Sequence, residues 1–197
     1  MKISDEEFAL LSDRRYYQVK SGLVIKLDGM FSELKVALSQ KVADWSIPVK
    51  GVDTERGKIF RGENYAGFPY TLLDYPRMFK KEAVFAMRSM CWWGNEFSFA
   101  LHLQGEALLP LMNNLRERLE SISCYELHFC VHASPWQYDF GSDNYRPIAS
   151  LTAEEMEEHV QSNGFIKLGR KFSLENHQAL TEAGVETASW FREFLKH

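Results

Sequence analysis

The 197-residue chain has little cysteine, little proline and no long apolar run. Its three cysteines, Cys91, Cys124 and Cys130, cannot all pair within one chain, so they predict reduced thiols. No segment approaches the roughly 20 consecutive apolar residues that a membrane-spanning helix needs. The early acidic segment Ser4–Glu7 also departs from the basic and then apolar pattern of a secretion signal. These absences predict a cytoplasmic protein with no membrane partner.

The chain also lacks an excess of basic residues. It carries 23 lysines and arginines against 27 aspartates and glutamates, a net charge of −4, whereas nucleic-acid-binding proteins usually show a basic patch. It has no phosphate-binding loop, dinucleotide glycine pattern, HExxH motif or EF-hand loop. We therefore expect no nucleic acid, no cofactor and no metal. The length and the ordinary apolar content of 45 % predict one domain over residues 1–197.

Helical signals lie at the start of the chain. Ser4 and Glu7 form a capping-box pattern, because each side chain can satisfy a free amide at a helix start. Apolar residues then recur at three- and four-residue steps, which predicts one long or broken helix that ends near Asp44. The alternative is a strand over Leu23–Leu27.

Strand signals fill the middle of the chain. Residues 58–61 and 70–75 are short strand candidates, and Pro76 is predicted to close the second because proline lacks a ladder donor. Residues 84–93 and 96–104 are the clearest pair, because Gly94 and Asn95 between them suit a hairpin turn. Alternation in the second of these strands places Phe97, Phe99, Leu101 and Leu103 on one face and Ser98, Ala100, His102 and Gln104 on the other.

The second half of the chain returns to helical spacing. We predict a helix over residues 106–121, then an alternating strand over 125–132 and a loop over 133–148. A further helix is predicted to begin at a second capping box at Thr152 and to end at Gly164. A final helix is predicted over residues 173–196. Residues 165–172 are ambiguous. The fold class is therefore α+β: an antiparallel sheet of about four to six strands, helices packed mainly on one face, and long N-terminal and C-terminal helices.

An aromatic segment is the densest feature of the chain. Between Phe60 and Phe99, 11 of 40 residues are Phe, Trp or Tyr, which is about twice the frequency of the whole chain. Flat rings and guanidinium groups stack on planar ligands, and arginine binds carboxylate or phosphate through paired donors. This segment predicts a ligand site, and its candidate residues are Arg61, Asp74, Arg77, Arg88, Trp92 and Trp93. The alternative is an aromatic core with an internal Asp–Arg pair.

Arg88 is the central residue of this prediction. It shares a strand face with apolar and aromatic neighbours, and a buried arginine needs a partner. Asp74, Glu63 or an anionic ligand could supply that partner.

Three histidines suggest a different site. His128 and His132 lie with Cys130 at alternate positions of one predicted strand, and His102 lies on another strand. Zinc accepts such ligands, but the spacing is not that of a closed tetrahedral site. The simpler interpretation of this row of residues is a polar face of the sheet without a site. The other is a pocket wall in which the histidines serve as acid–base groups, since histidine titrates near neutral pH.

The predicted loop over 133–148 is unusually long and carries Trp136, Tyr138, Phe140 and Tyr145. Loops of this length are often lids or binding loops. The leading hypothesis is a cytoplasmic binding or assembly domain that uses the aromatic and arginine-rich sheet surface for a small anionic or planar ligand, and a homodimer is possible. The alternative is a small enzyme, such as a hydrolase, whose pocket is lined by His102, His128 and His132.

Overall fold

The computed structural model describes residues 2–196, and its central feature is one antiparallel sheet of seven strands. The strands are β1 (Lys58–Tyr65), β2 (Phe68–Phe79), β3 (Ala83–Trp92), β4 (Glu96–Gly105), β5 (His128–Cys130), β6 (Tyr145–Pro147) and β7 (Phe165–Phe172). Their order across the sheet is β1-β2-β3-β4-β7-β5-β6. Every recorded pairing is antiparallel.

Five α-helices accompany the sheet. They are α1 (Asp5–Ser12), α2 (Arg14–Val42), α3 (Leu115–Ser121), α4 (Ala153–Asn163) and α5 (Leu180–Leu195). The predicted α+β class, the antiparallel sheet and the long helices near both ends are confirmed. The sheet has seven strands rather than four to six, because the ambiguous residues 165–172 form a strand and the long loop contributes the short β6. Among the described helices, none is both long and apolar enough to cross a bilayer.

Helices α2, α3, α4 and α5 contribute to a core on one face of the sheet, which we call the helix face. Alternation in β4 buries Phe97, Phe99, Leu101 and Leu103 there, as predicted. They join one hydrophobic core with the apolar stripe of α2, which includes Phe31 and Leu34, and with the inner residues of α5. Burial of this apolar surface is the main force that holds helices and sheet together.

Several local predictions are confirmed at their residues. Ser4 and Glu7 form the capping box of α1, and Thr152 begins α4 in the same way. Gly164 ends α4 in the left-handed conformation that glycine adopts without strain. The first helix is broken at Asp13, whose carboxylate caps α2, and residues 23–27 are helical rather than a strand.

Other local predictions need correction. Pro76 does not close β2, because a register shift between Asp74 and Arg77 places the proline where no ladder donor is required. The predicted helix over 106–121 is a 3-10 segment, Leu109–Asn114, followed by the short α3, since Asn114 leaves helical geometry. The final helix likewise begins with a 3-10 segment, Leu174–Ala179. The strand over 125–132 is limited to β5.

Candidate functional site

The face of the sheet opposite the helices, which we call the open face, carries the candidate site. Register across β2, β3 and β4 aligns Asp74 with Arg88 and Ala100. One step along, Ala86, His102 and Lys167 are aligned. Residues 131–144, which we call the covering loop, supply Trp136, Tyr138 and Phe140 to this face. Polar and charged side chains are therefore enclosed between the sheet and an aromatic loop.

An ion pair between Asp74 and Arg88 lies at the centre of the open face. Arg88 donates from Nε to Asp74 Oδ1 at 2.7 Å and from Nη2 to Oδ2 at 2.8 Å. The Asp74 side chain is 1 % exposed and that of Arg88 is 16 % exposed. Of the three partners considered for Arg88, Asp74 is thus the one that binds it. The two parallel bonds fix the plane of the guanidinium group.

The covering loop is attached to this pair through Tyr138. Arg88 Nη1 donates to the Tyr138 hydroxyl, and the guanidinium carbon lies 5.2 Å from the centre of the Tyr138 ring. Burial raises the pKa of Tyr138, so the phenol is protonated near neutral pH. The Tyr65 hydroxyl in turn accepts a hydrogen bond from the Tyr138 backbone amide at 2.7 Å.

Lys167 is the second attachment of the covering loop. Its Nζ donates to the backbone carbonyls of Pro135 at 2.8 Å and Gln137 at 2.6 Å. It also lies 4.4 Å from the centre of the Tyr138 ring. The lysine is 2 % exposed. Its pKa is lowered from 10.5 to about 7: burial is the main cause, the positive charge of Arg88 acts in the same direction, and Cys130 and Asp139 oppose them.

This buried amine predicts a rise in stability with pH. The unfolded chain keeps the Lys167 proton up to about pH 10.5, whereas the folded protein releases it near pH 7, so the unfolded state binds more protons in between. Between pH 7 and 9 the free energy of unfolding of the wild type should rise relative to Lys167→Met by about 2 kcal/mol. Urea titrations at both pH values measure this difference.

Lys171 provides the matched control for that experiment. It lies on the same face of β7 but is exposed. The Lys171→Met variant should therefore keep the pH dependence of the wild type. A constant stability difference between wild type and Lys167→Met across this range would contradict the assignment.

A cavity of about 320 Å³ opens beside the ion pair. It lies over β1, β2 and β3 and is bounded on the far side by the covering loop. Its lining consists of Phe60, Asn64, Tyr65, Tyr70, Leu72, Arg88, Met90, Trp136 and Tyr138. Five of these nine residues carry aromatic rings, so the cavity offers flat apolar walls with the guanidinium group as its cationic member.

Rings next to the cavity hold this wall in place. Tyr65 packs edge-to-face against Trp92 at 5.2 Å and against Tyr138 at 5.4 Å between ring centres. Trp92 donates from Nε1 to the Tyr65 carbonyl at 3.1 Å and meets Phe68 on its other side. These contacts fix the orientation of the Tyr65 ring that faces the cavity.

The six residues predicted as a ligand site do not form one cluster. Only Arg88 lines the cavity; Asp74 binds Arg88 from outside the lining, and Trp92 packs against Tyr65 of the cavity wall. Arg61 instead makes an exposed ion pair with Asp28 of α2, at 3.1 Å. Trp93 lines a separate apolar groove against α2. The reason is the alternation of strand side chains, which sends neighbouring residues such as Trp92 and Trp93 to opposite faces.

Arg77, the sixth predicted residue, follows the register shift in β2. Its backbone exchanges two hydrogen bonds with Asp53, at 2.9 and 3.2 Å. It is partly buried and is not a lining residue of the cavity.

None of the three histidines lines the cavity, although His102 contacts its lining residue Trp136. His102 is 5 % exposed and packs edge-to-face against Trp136, at 5.2 Å, and against Phe165. Burial lowers the pKa of His102 from 6.5 to about 3, so the ring is neutral at pH 7. His128 packs against Phe140, and His132 accepts a hydrogen bond from the Ser134 backbone amide at 3.0 Å. Within residues 2–196, no three His, Cys, Asp or Glu side chains are placed to hold a metal ion.

Sequence reasoning missed Lys167 and Tyr65. Both have a recognisable signal once the strands are known. Lys167 is a charged residue between apolar neighbours in a strand that is buried on both faces. Tyr65 lies at the end of β1, just before the tight turn at Ala66 and Gly67, both of which have positive φ. The pattern of residues 165–172 was ambiguous because a strand covered on both faces loses its polar and apolar alternation.

The chain matches no protein-family model, no curated protein and no solved structure.

Proposed function

We propose that the protein is a binding domain whose open-face cavity holds a small planar molecule. The observation that supports this most directly is the aromatic lining of the cavity around Arg88. Its volume of about 320 Å³ falls at the small end of ligand pockets. Three free thiols, Cys91, Cys124 and Cys130, accord with a cytoplasmic location, which belongs to the same proposal.

The charge balance at Arg88 selects the kind of ligand. Asp74 already neutralises the guanidinium group, so a strongly anionic ligand would face a nearby buried carboxylate. An arginine has five N–H donors, and bonds to Asp74 and Tyr138 occupy three of them. The remaining donors suit an uncharged acceptor such as a carbonyl or a ring nitrogen. We therefore favour a planar, neutral, heteroaromatic or amide-bearing ligand over an anion.

A pair of matched compounds tests this selection. Benzamide and cyclohexanecarboxamide carry the same amide, but only benzamide has a flat ring. We expect saturation-transfer NMR and calorimetric titration to show benzamide binding several-fold more tightly, because ring stacking contributes about 0.5–1.5 kcal/mol. Equal binding of the two compounds, or no binding of either at millimolar concentration, would contradict the proposal.

A substitution in the wall of the cavity tests the location. Trp136 is 46 % exposed, so its replacement by alanine should leave the fold intact. Trp136→Ala should weaken benzamide binding about 2- to 10-fold through the lost ring contact. Leu109 is also large, apolar and exposed but lies outside this cavity, so Leu109→Ala serves as the control with unchanged binding. The small-enzyme alternative remains a prediction, since no observation on the described residues favours it.

A further inference from the structure

The start of the chain forms a helical arm that the rest of the protein leaves uncovered. Every residue from 2 to 19 is exposed, and α1 contributes no buried residue. Nine of the fourteen most exposed large apolar side chains of the described residues lie between Ile3 and Ile25. They are Ile3, Phe8, Leu10, Leu11, Tyr16, Tyr17, Val19, Leu23 and Ile25. A concentration of this kind marks an interaction surface.

The apolar stripe of α2 explains how this surface arises. From Leu27 onward the stripe is buried against the sheet, through Phe31, Leu34 and Leu38. Towards the N-terminus the same face continues through Leu23 and Tyr16 at helical spacing. There Leu23 and Tyr16 are 41 % and 40 % exposed, so the described residues cover this part of the face incompletely. Because the apolar stripe of α2 continues beyond its buried part, the exposed part of the stripe implies that another surface packs against it.

The charges of the arm indicate what packs there. Residues 2–13 carry four carboxylates, Asp5, Glu6, Glu7 and Asp13, and one lysine. Residues 14–27 carry four cations, Arg14, Arg15, Lys20 and Lys26, and no carboxylate, and of these Lys20 already binds Glu63 of β1 at 2.5 Å. The arm is thus acidic in one half and basic in the other. A second copy in antiparallel orientation would place each acidic half beside a basic half, as two-fold symmetry requires.

We infer that two copies of the chain pair through residues 3–25, with α1 of each copy along the start of α2 of the other. The dimensions agree, since α1 is about 12 Å long and the distance from Arg14 to Leu23 along α2 is about 14 Å. The segment of α2 from Arg14 to Leu23 ends at an apolar groove of about 310 Å³. The groove is lined by Leu23, Leu27, Met30, Cys91, Trp93, Gly94, Phe97, Leu174 and His177. The pairing covers the exposed stripe and closes this groove.

This dimer does not depend on the ligand cavity, which lies on the opposite face of the sheet. Sedimentation velocity of the full chain between 1 and 100 µM measures it directly. We expect a dimer in the wild type and at least a tenfold higher dissociation constant in Phe8→Ser/Leu11→Ser. Both side chains are more than half exposed, so the variant should keep the wild-type circular dichroism. Leu109→Ser, which alters an exposed leucine elsewhere, should leave the dimer intact.

Charge exchange tests the antiparallel geometry. Arg14→Glu/Arg15→Glu should raise the dissociation constant at least tenfold through like-charge contacts with the acidic half of the other copy. Adding Asp5→Lys/Glu6→Lys to the same chain should restore the wild-type value. Weakening that the second pair of substitutions does not reverse would overturn the antiparallel pairing.

A monomeric wild type at all concentrations would also overturn the proposal. Flotation of that monomer with vesicles of phosphatidylcholine and phosphatidylserine then distinguishes the two other possible partners of the arm, a membrane surface and a different protein. Vesicle binding would identify the arm as a membrane-surface helix, and its absence would point to a different protein as the partner.

Discussion

Asp74→Ala should lower the free energy of unfolding by about 3–5 kcal/mol. The substitution leaves the Arg88 guanidinium group charged beneath the covering loop, with the Tyr138 hydroxyl as its remaining side-chain partner. An uncompensated buried charge is far more destabilising than the loss of an average hydrogen bond. Chemical denaturation at pH 7 measures the change.

Two further variants separate the cost of the orphaned charge from the value of the pair. Asp74→Leu/Arg88→Met removes both charges and should recover most of the lost stability, because apolar residues of similar size often replace a buried pair at little cost. Asp28→Ala breaks the exposed pair with Arg61 and should cost less than about 1 kcal/mol. Similar losses in Asp74→Ala and Asp28→Ala would show that the buried pair has no special role in stability.

Acid should destabilise the protein through His102. The unfolded imidazole takes up a proton near pH 6.5, whereas the buried ring resists protonation down to about pH 3. In this interval the unfolded state binds more protons, so stability falls as the pH falls. Between pH 6.5 and 4 we expect this one group to remove about 3 kcal/mol from the free energy of unfolding.

The groups around His102 explain the size of the effect. Burial beneath Trp136 is the main cause of its lowered pKa, and the nearby charges of Lys167 and Arg88 add to it, while Gln104 opposes it. In His102→Phe the ring contacts can persist but the titrating nitrogen is absent. As the pH falls from 6.5 to 4, the free energy of unfolding of this variant should therefore rise by about 3 kcal/mol relative to that of the wild type.

His177 serves as the control, because it is exposed within a single copy of the chain and lies on the far side of the sheet from His102. His177→Phe should follow the acid titration of the wild type. If His102→Phe follows it as well, acid sensitivity comes from other groups and the burial of His102 does not govern it.

Local patterns predicted most of the elements because their causes are local. The capping boxes at Ser4 and Thr152 and the left-handed Gly164 depend on residues a few positions apart. The hairpin between β3 and β4 needs only alternation and a turn at Gly94, which has positive φ. Predictions failed where the backbone leaves helical geometry within an apolar pattern of helical spacing, as at Asn114, or where a register shift removes a local penalty, as at Pro76.

The candidate site was predictable only in part. From the sequence it followed only that a buried Arg88 needs a partner, which Asp74, Glu63 or an anionic ligand could supply, and the structure selects Asp74. The contribution of Tyr138 and the burial of Lys167 could not follow in this way. Lys167 and the two loop carbonyls that it binds are 32 and 30 residues apart in the sequence and meet only when the sheet is assembled.

The sequence by itself determined the fold class, the hairpin of β3 and β4, and the division of their side chains between two faces, because strand alternation and turn chemistry act over a few residues. Only the tertiary structure decided which of the aromatic and charged residues share a site. It placed Arg88, Tyr138 and Lys167 together and sent Arg61 and Trp93 to the other face. Contacts between distant segments depend on strand order and loop path, and those are set by burial of the whole core rather than by any local pattern.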